Sequence, residues 1–117
     1  MTDSHRLWHV TLTVAGCEHD PDAVCAGLVR LGDEQPFLHS LRYRSSRAEL
    51  QYWEESDGML DAASLALRLW NEHRASCGLP GWEVVGLEVL ERETFQQRAA
   101  QGTPAAVGMP NPTPRPY

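Results

Sequence analysis

The stretch FLHSLRYRSSRAELQYWE, Phe37 to Glu54, decides how this chain folds. Folding it back about RSSR sets Tyr43 against Ala48, Leu41 against Leu50 and His39 against Tyr52 on one apolar face. The other face then carries Arg42 opposite Glu49, a compensated charge pair, and Leu38 opposite Trp53. A slip of one residue would mix the two faces, so the hairpin register supports itself. Ser45 and Ser46 lack the glycine that two-residue turns favour, and a looser connection is the alternative.

Upstream, LWHVTLTV (Leu7 to Val14) alternates Trp8, Val10, Leu12 and Val14 with His9, Thr11 and Thr13, the period of a half-buried strand that ends at Gly16. Next comes CEHDPDAVC, Cys17 to Cys25, which crowds thiols, an imidazole and carboxylates into one short run. Helix-start chemistry explains most of it. Asp20 is an N-cap, Pro21 needs no amide donor at the first helical position, and Asp22 favours the positive end of the dipole. Val24, Leu28 and Leu31 form the buried stripe with Cys25 beside it, and Gly32 is the expected C-terminal glycine.

Downstream, a second helix is expected from Met59 to Cys77, stopped by Gly78, Pro80 and Gly81. Helical projection puts Met59, Ala63, Ala66, Trp70, His73 and Cys77 on its inner face, with Asp61, Ser64 and Arg68 opposite. Trp82 to Glu91 reads as the last strand, with Val85, Leu87 and Val89 alternating against Val84, Gly86, Glu88 and Leu90. Strand, helix, strand, strand, helix, strand is the order of an α+β, ferredoxin-like βαββαβ sandwich. In that sandwich a four-stranded antiparallel sheet carries two helices on one face, and the first and third strands are central. This domain is expected to span residues 1–101, including a short helix in RETFQQRAAQ whose only large apolar residue is Phe95. Residues 102–117 read as a disordered, proline-rich tail, because Pro110, Pro112, Pro114 and Pro116 oppose helix and sheet.

Composition narrows function. The chain has 117 residues, a formal charge of -6 and a pI near 5.2, which argues for one domain and against nucleic-acid or anionic-membrane partners. No apolar run could span a bilayer, and MTDSHRLWHV lacks the order of a secretion signal, so a cytoplasmic location is expected. Cys17, Cys25 and Cys77 are too few and too odd in number for a disulfide framework. All ten basic residues are arginine, which removes lysine chemistry and fits a GC-rich genome.

Three loci could carry function. Cys17 and His19 have no structural duty in the helix start, yet two loose ligands do not make a zinc site. His73 and Cys77 lie one helical turn apart, on the face expected to pack inward, and no third ligand is near in sequence. The uncovered sheet face is more informative. It is expected to hold His9, Thr11 and Thr13, Leu38 and Arg42, Glu49, Gln51 and Trp53, then Val84, Glu88 and Leu90. A tryptophan and aliphatics among polar groups call for a cover: the chain's own segment through Phe95, a dimer mate, a ligand or another protein. RNA recognition on this face needs exposed aromatics on both central strands and basic surroundings, which are absent from the sequence.

The segments GCEHDP, RAELQYWEES, ALRLWNEHR and WEVVGLEVLERETFQQR together resemble a set of small uncharacterised proteins from actinobacteria, over Trp8 to Arg98. The resemblance implies no activity and carries no catalytic residue over. The expectation from the residues is a non-enzymatic, cofactor-free interaction or ligand-binding module, homodimeric or bound to a protein partner through a face made of Trp53, His9, Arg42, Glu49 and Leu90. One alternative is a cofactor-independent monooxygenase-like enzyme with a pocket lined by His39, Tyr52, Trp70 and His73. A metal-binding protein built on Cys17 and His19 is another.

Overall fold

The computed structural model describes residues 6–101 and 114–116. Its elements are β1 (Arg6–Ala15), α1 (Pro21–Glu34), β2 (Leu38–Arg44), β3 (Arg47–Ser56), α2 (Met59–His73), β4 (Glu83–Glu91), α3 (Arg92–Gln101) and β5 (Arg115–Pro116). The sheet order is β4-β1-β3-β2-β5, with the first four strands antiparallel, so the expected ferredoxin-like arrangement is present with β1 and β3 at its centre. Val10, Leu12, Val14, Ala48, Leu50 and Tyr52 meet Val24, Leu28 and Leu31 of α1 and Ala66, Leu69 and Trp70 of α2 in one core. Burying each large side chain of this set stabilises the fold by roughly 1.5–3 kcal/mol.

The hairpin turn is the two-residue kind: Arg44 pairs with Arg47 across Ser45 and Ser46. No non-glycine residue among those described has positive φ, so these serines do not form the primed turns that glycine serves. Instead the turn is tied down from outside. Gly16 donates its amide to the Ser46 carbonyl at 3.0 Å and His19 donates to Ser45 at 2.7 Å. The α1 start is as the sequence predicts, with Asp20 accepting from the Asp22 amide and Pro21 in the first turn.

Several expectations need correction. Gly32 lies inside α1, which continues to Glu34 and ends with the Gln35 amide on the Leu31 carbonyl. The β2–β3 register shifts between Leu38 and Ser40, so Leu38 opposes Tyr52 and is buried among core residues. His39 is thereby displaced from the helix-covered face onto the other one, because a bulge reverses side-chain parity beyond it. A second shift, beside Thr13 and Val14, pairs Val84 with Val14 and packs it against the core rather than on the open face. Trp82 precedes β4 rather than beginning it, and is buried.

α2 ends at His73, where the Ser76 hydroxyl donates to the His73 carbonyl, and the chain then turns through Gly78 at a φ of 74°. Cys77 therefore sits in this turn, not on the helix face with His73. The helix buries Ala62, Ala66, Leu69 and Trp70 and leaves Met59 exposed, a rotation imposed by contact with β1, β3 and β4. The expected tail also makes sheet contact: Arg115 and Pro116 pair in parallel with Arg42 and Tyr43. Proline is tolerated there because β5 is a two-residue edge strand. The rest of the expected tail, residues 102–113, lies outside the described residues.

Gly27 shows how closely α1 approaches the turn after α2. A Cβ there would stand 2.6 Å from Leu79 Cδ2 and 3.2 Å from the Cys77 carbonyl oxygen. Alanine gains up to about 1 kcal/mol in helix propensity, but overpacking against a backbone carbonyl costs about 1–3 kcal/mol. Gly27→Ala is expected to lower the urea midpoint of unfolding, and a raised midpoint would contradict this packing.

Candidate functional site

On the sheet face away from α1 and α2, alternate residues of the central strands point outward. His9 stands opposite Trp53 on β3 and Leu90 on β4, while Thr11 stands between Gln51 and Glu88. Trp53 thus lies on the expected face. So do Arg42 and Glu49, which are direct cross-strand partners. They form no ion pair with each other, which corrects the compensated pair read from the sequence. Glu49 Oε1 instead accepts from Gln51 Nε2 at 3.3 Å, and Arg42 is exposed.

The aromatic end of this face is covered by the chain itself. α3 packs on β1 and β4, and its Phe95 ring stacks on His9 with centroids 3.9 Å apart. Trp53 meets both edge-on, 5.0 Å from His9 and 4.9 Å from Phe95. Arg98 of α3 pairs with Glu88 of β4 at 3.0 Å. The lid is therefore held by one aromatic anchor and one exposed ion pair. Among the described residues, none is seen packing over the β2–β3 side of the face, with Arg42, Glu49 and Gln51.

Under the lid lies a pair that parity counting missed. The bulge brings His39 Nε2 to 2.8 Å from His9 Nε2. His9 is only 2 % exposed, and burial, reinforced by His39, pushes its pKa down from 6.5 to about 4. Burial lowers His39 as well, against a hydrogen bond to its own backbone that favours the charged form. One Nε2 donates to the other across this contact, the roles following from the tautomers of the two neutral rings. His9 Nδ1 has no hydrogen-bond partner among the described residues. No hydrogen bond or ion pair links either imidazole to a carboxylate among the described residues, Glu88 being engaged by Arg98 and Glu49 by Gln51.

On the opposite face, Tyr52 and Glu54 line an open cleft of about 180 Å³ with Phe37 and the Leu65, Arg68, Leu69, Glu72 and His73 side of α2. Only two of the four pocket residues expected from the sequence, Tyr52 and His73, line it. His39 is on the other side of the sheet, and Trp70 is locked in the core with its indole N–H on the Trp82 carbonyl at 2.7 Å. His73 Nδ1 lies 3.9 Å from Glu34 Oε1, and the Cys77 thiol donates to the same oxygen at 3.5 Å. Burial, then Glu34, pushes the Cys77 thiol up, away from nucleophilic character.

At the β1–α1 loop, Cys17 is exposed and its carbonyl accepts from Trp82 Nε1 at 2.7 Å. The His19 ring meets Trp82 edge-on at 5.9 Å, so both residues have structural duties that the sequence did not reveal. Among the described residues there is no group of three or more His, Cys, Asp or Glu placed to hold a metal ion. No helix among them is long and apolar enough to cross a membrane.

The buried imidazole sets a pH dependence. Its native pKa lies below the unfolded value, so the native state resists protonation. Stability is undiminished above about pH 6.5, falls by at most about 1.4 kcal/mol per unit below it, and reaches its full loss near pH 4. His9→Phe, which keeps the stack and removes the titration, is expected to flatten urea-midpoint stability between about pH 7 and 5. An unchanged slope would contradict the buried neutral state.

Comparison with known proteins adds the following. The chain is similar to a crystal structure of acylphosphatase from Bacillus subtilis, at 11% identity and a TM-score of 0.42, covering 94% of this chain and 98% of that one. It is also similar to a structure of an acylphosphatase from Coxiella burnetii, at 16% identity and a TM-score of 0.38, covering 97% and 93%. Likeness at this level bears no weight on activity. No curated protein matches the chain. The family described as Domain of unknown function (DUF8830) matches residues 7–106, and the chain belongs to that family.

Proposed function

We propose that this protein is a non-enzymatic cytoplasmic binding module that forms a twofold dimer through the uncovered β2–β3 side of its sheet, with Trp53 at the border of the contact. One observation carries the reading. Arg42 and Glu49 are register partners on an open face, yet they form no ion pair with each other. An isologous contact turns a neighbouring cation and anion into two identical bonds between copies, Arg42 to the partner's Glu49 and the reverse. Trp53, half-buried against Phe95, supplies an aromatic anchor beside them. His9 acts under the α3 lid rather than in direct contact, with Leu90 as its register partner on β4, and a protein partner of similar charge pattern would use the same surface. The lysine-free composition supports a source among actinobacteria.

Light scattering of the dilute protein is expected to give about twice the chain mass of 13.1 kDa. Arg42→Glu or Trp53→Glu should shift it to the monomer, and Arg42→Glu combined with Glu49→Arg should restore the dimer. A monomeric mass for the unaltered chain at micromolar concentration sinks the dimer, and failure of the charge swap to rescue assembly places the contact elsewhere.

A further inference from the structure

We propose that the cleft between β3 and α2 is a binding site for a small organic ammonium ion, its charge on Glu54 and its apolar body against Phe37, Leu65 and Leu69. The site is on the helix-covered side of the sheet, independent of the face assigned to dimerisation.

Three features of the cleft point to this chemistry. Its charges are paired except one. Arg68 holds Glu72 at 3.1 Å and His73 faces Glu34, whereas Glu54 has no ion-pair partner among the described residues. Burial pushes the Glu54 carboxyl above its usual range, the mark of an anion short of compensation. The second feature is the Tyr52 hydroxyl. Tyr52 is 1 % exposed and lines the cleft, and its hydroxyl, closed off from solvent, makes no hydrogen bond among the described residues. Burial, then Glu54, pushes its pKa up, so it is a neutral phenol behind the cleft wall whose donor and acceptor capacity is unused. Buried polar groups are nearly always partnered, and an orphan at a cleft wall calls for a partner from outside the chain.

The third feature is aromatic. The Phe37 and Tyr52 rings lie 5.2 Å apart at an angle of 58°, and Phe37 is 41 % exposed at the mouth. Aromatic faces beside a carboxylate favour a cation with an organic skirt over a hydrated metal ion. An anion would meet Glu54 and Glu72 together, and a neutral alcohol would leave Glu54 uncompensated. At about 180 Å³ the cleft holds the equivalent of about six waters, so the ligand is smaller than drug-sized molecules.

Benzylammonium chloride is the probe, titrated into the isotopically labelled full chain near neutral pH and followed by amide chemical shifts. Saturable shifts are expected at residues 52–54 and 65–73, with benzyl alcohol binding at least about tenfold more weakly and benzoate not at all. Glu54→Gln relieves an uncompensated half-buried charge, so it should fold at least as well while binding benzylammonium about tenfold more weakly. Tyr52→Phe should weaken binding with the native spectrum retained. Equal affinity for benzyl alcohol, wild-type affinity in Glu54→Gln, or no saturable shifts at tens of millimolar would each overturn the assignment. None of these readouts depends on whether the chain is a dimer.

Discussion

The antiparallel register of β1 with β3 is the constraint on which the rest of the structure depends. These strands pair from Arg6 with Ser56 to Ala15 with Arg47 without interruption, and both have sheet neighbours on each side. One rigid alignment therefore sends Val10, Leu12, Leu50 and Tyr52 toward the helices and His9, Thr11, Gln51 and Trp53 away from them. The chemical features of β1 and β3 inherit their side of the sheet from this pairing. A slip of one residue would put Tyr52 on the open face and bury Gln51, a cost the core could not offset.

The outer strands are less constrained, and both depart from ideal pairing. The shift beside His39 buries Leu38 and carries the histidine across the sheet, while the shift beside Val14 packs half-buried Val84 against the core. In each case an aliphatic side chain gains the core and the strand yields its alternation. Away from the sheet, Trp82 performs a similar joining role. Its indole N–H reaches the Cys17 carbonyl, its own carbonyl accepts from Trp70 and Arg74, and its ring fills the space a Cβ on Gly16 would need. Loop, helix and last strand are thus tied at one residue.

The two faces differ in what they leave unsatisfied. Under α3, two imidazoles share one proton and are kept neutral by burial, so the aromatic lid closes over a polar but uncharged pair. In the cleft across the sheet, a carboxylate and a phenol lack partners among the described residues. Stability alone accounts for neither arrangement, since apolar residues of similar size would pack at both places without an orphan atom. Features of that kind are where binding is to be sought.

The sequence by itself determined the element order, the hairpin, the capped start of α1 and the burial of alternate residues on β1 and β3. These rest on local period and on turn and cap chemistry, which act over a few residues. It also determined that Trp53, Arg42 and Glu49 share an outward face, and it offered Phe95 as one candidate cover. Only the tertiary structure decided that His39 meets His9, that α2 turns Ala62 and Leu69 inward, and that Tyr52 and Glu54 open onto a cleft. The reason is that bulge positions and helix rotation are settled by competition among distant side chains for one core, and no window of sequence contains both sides of that competition.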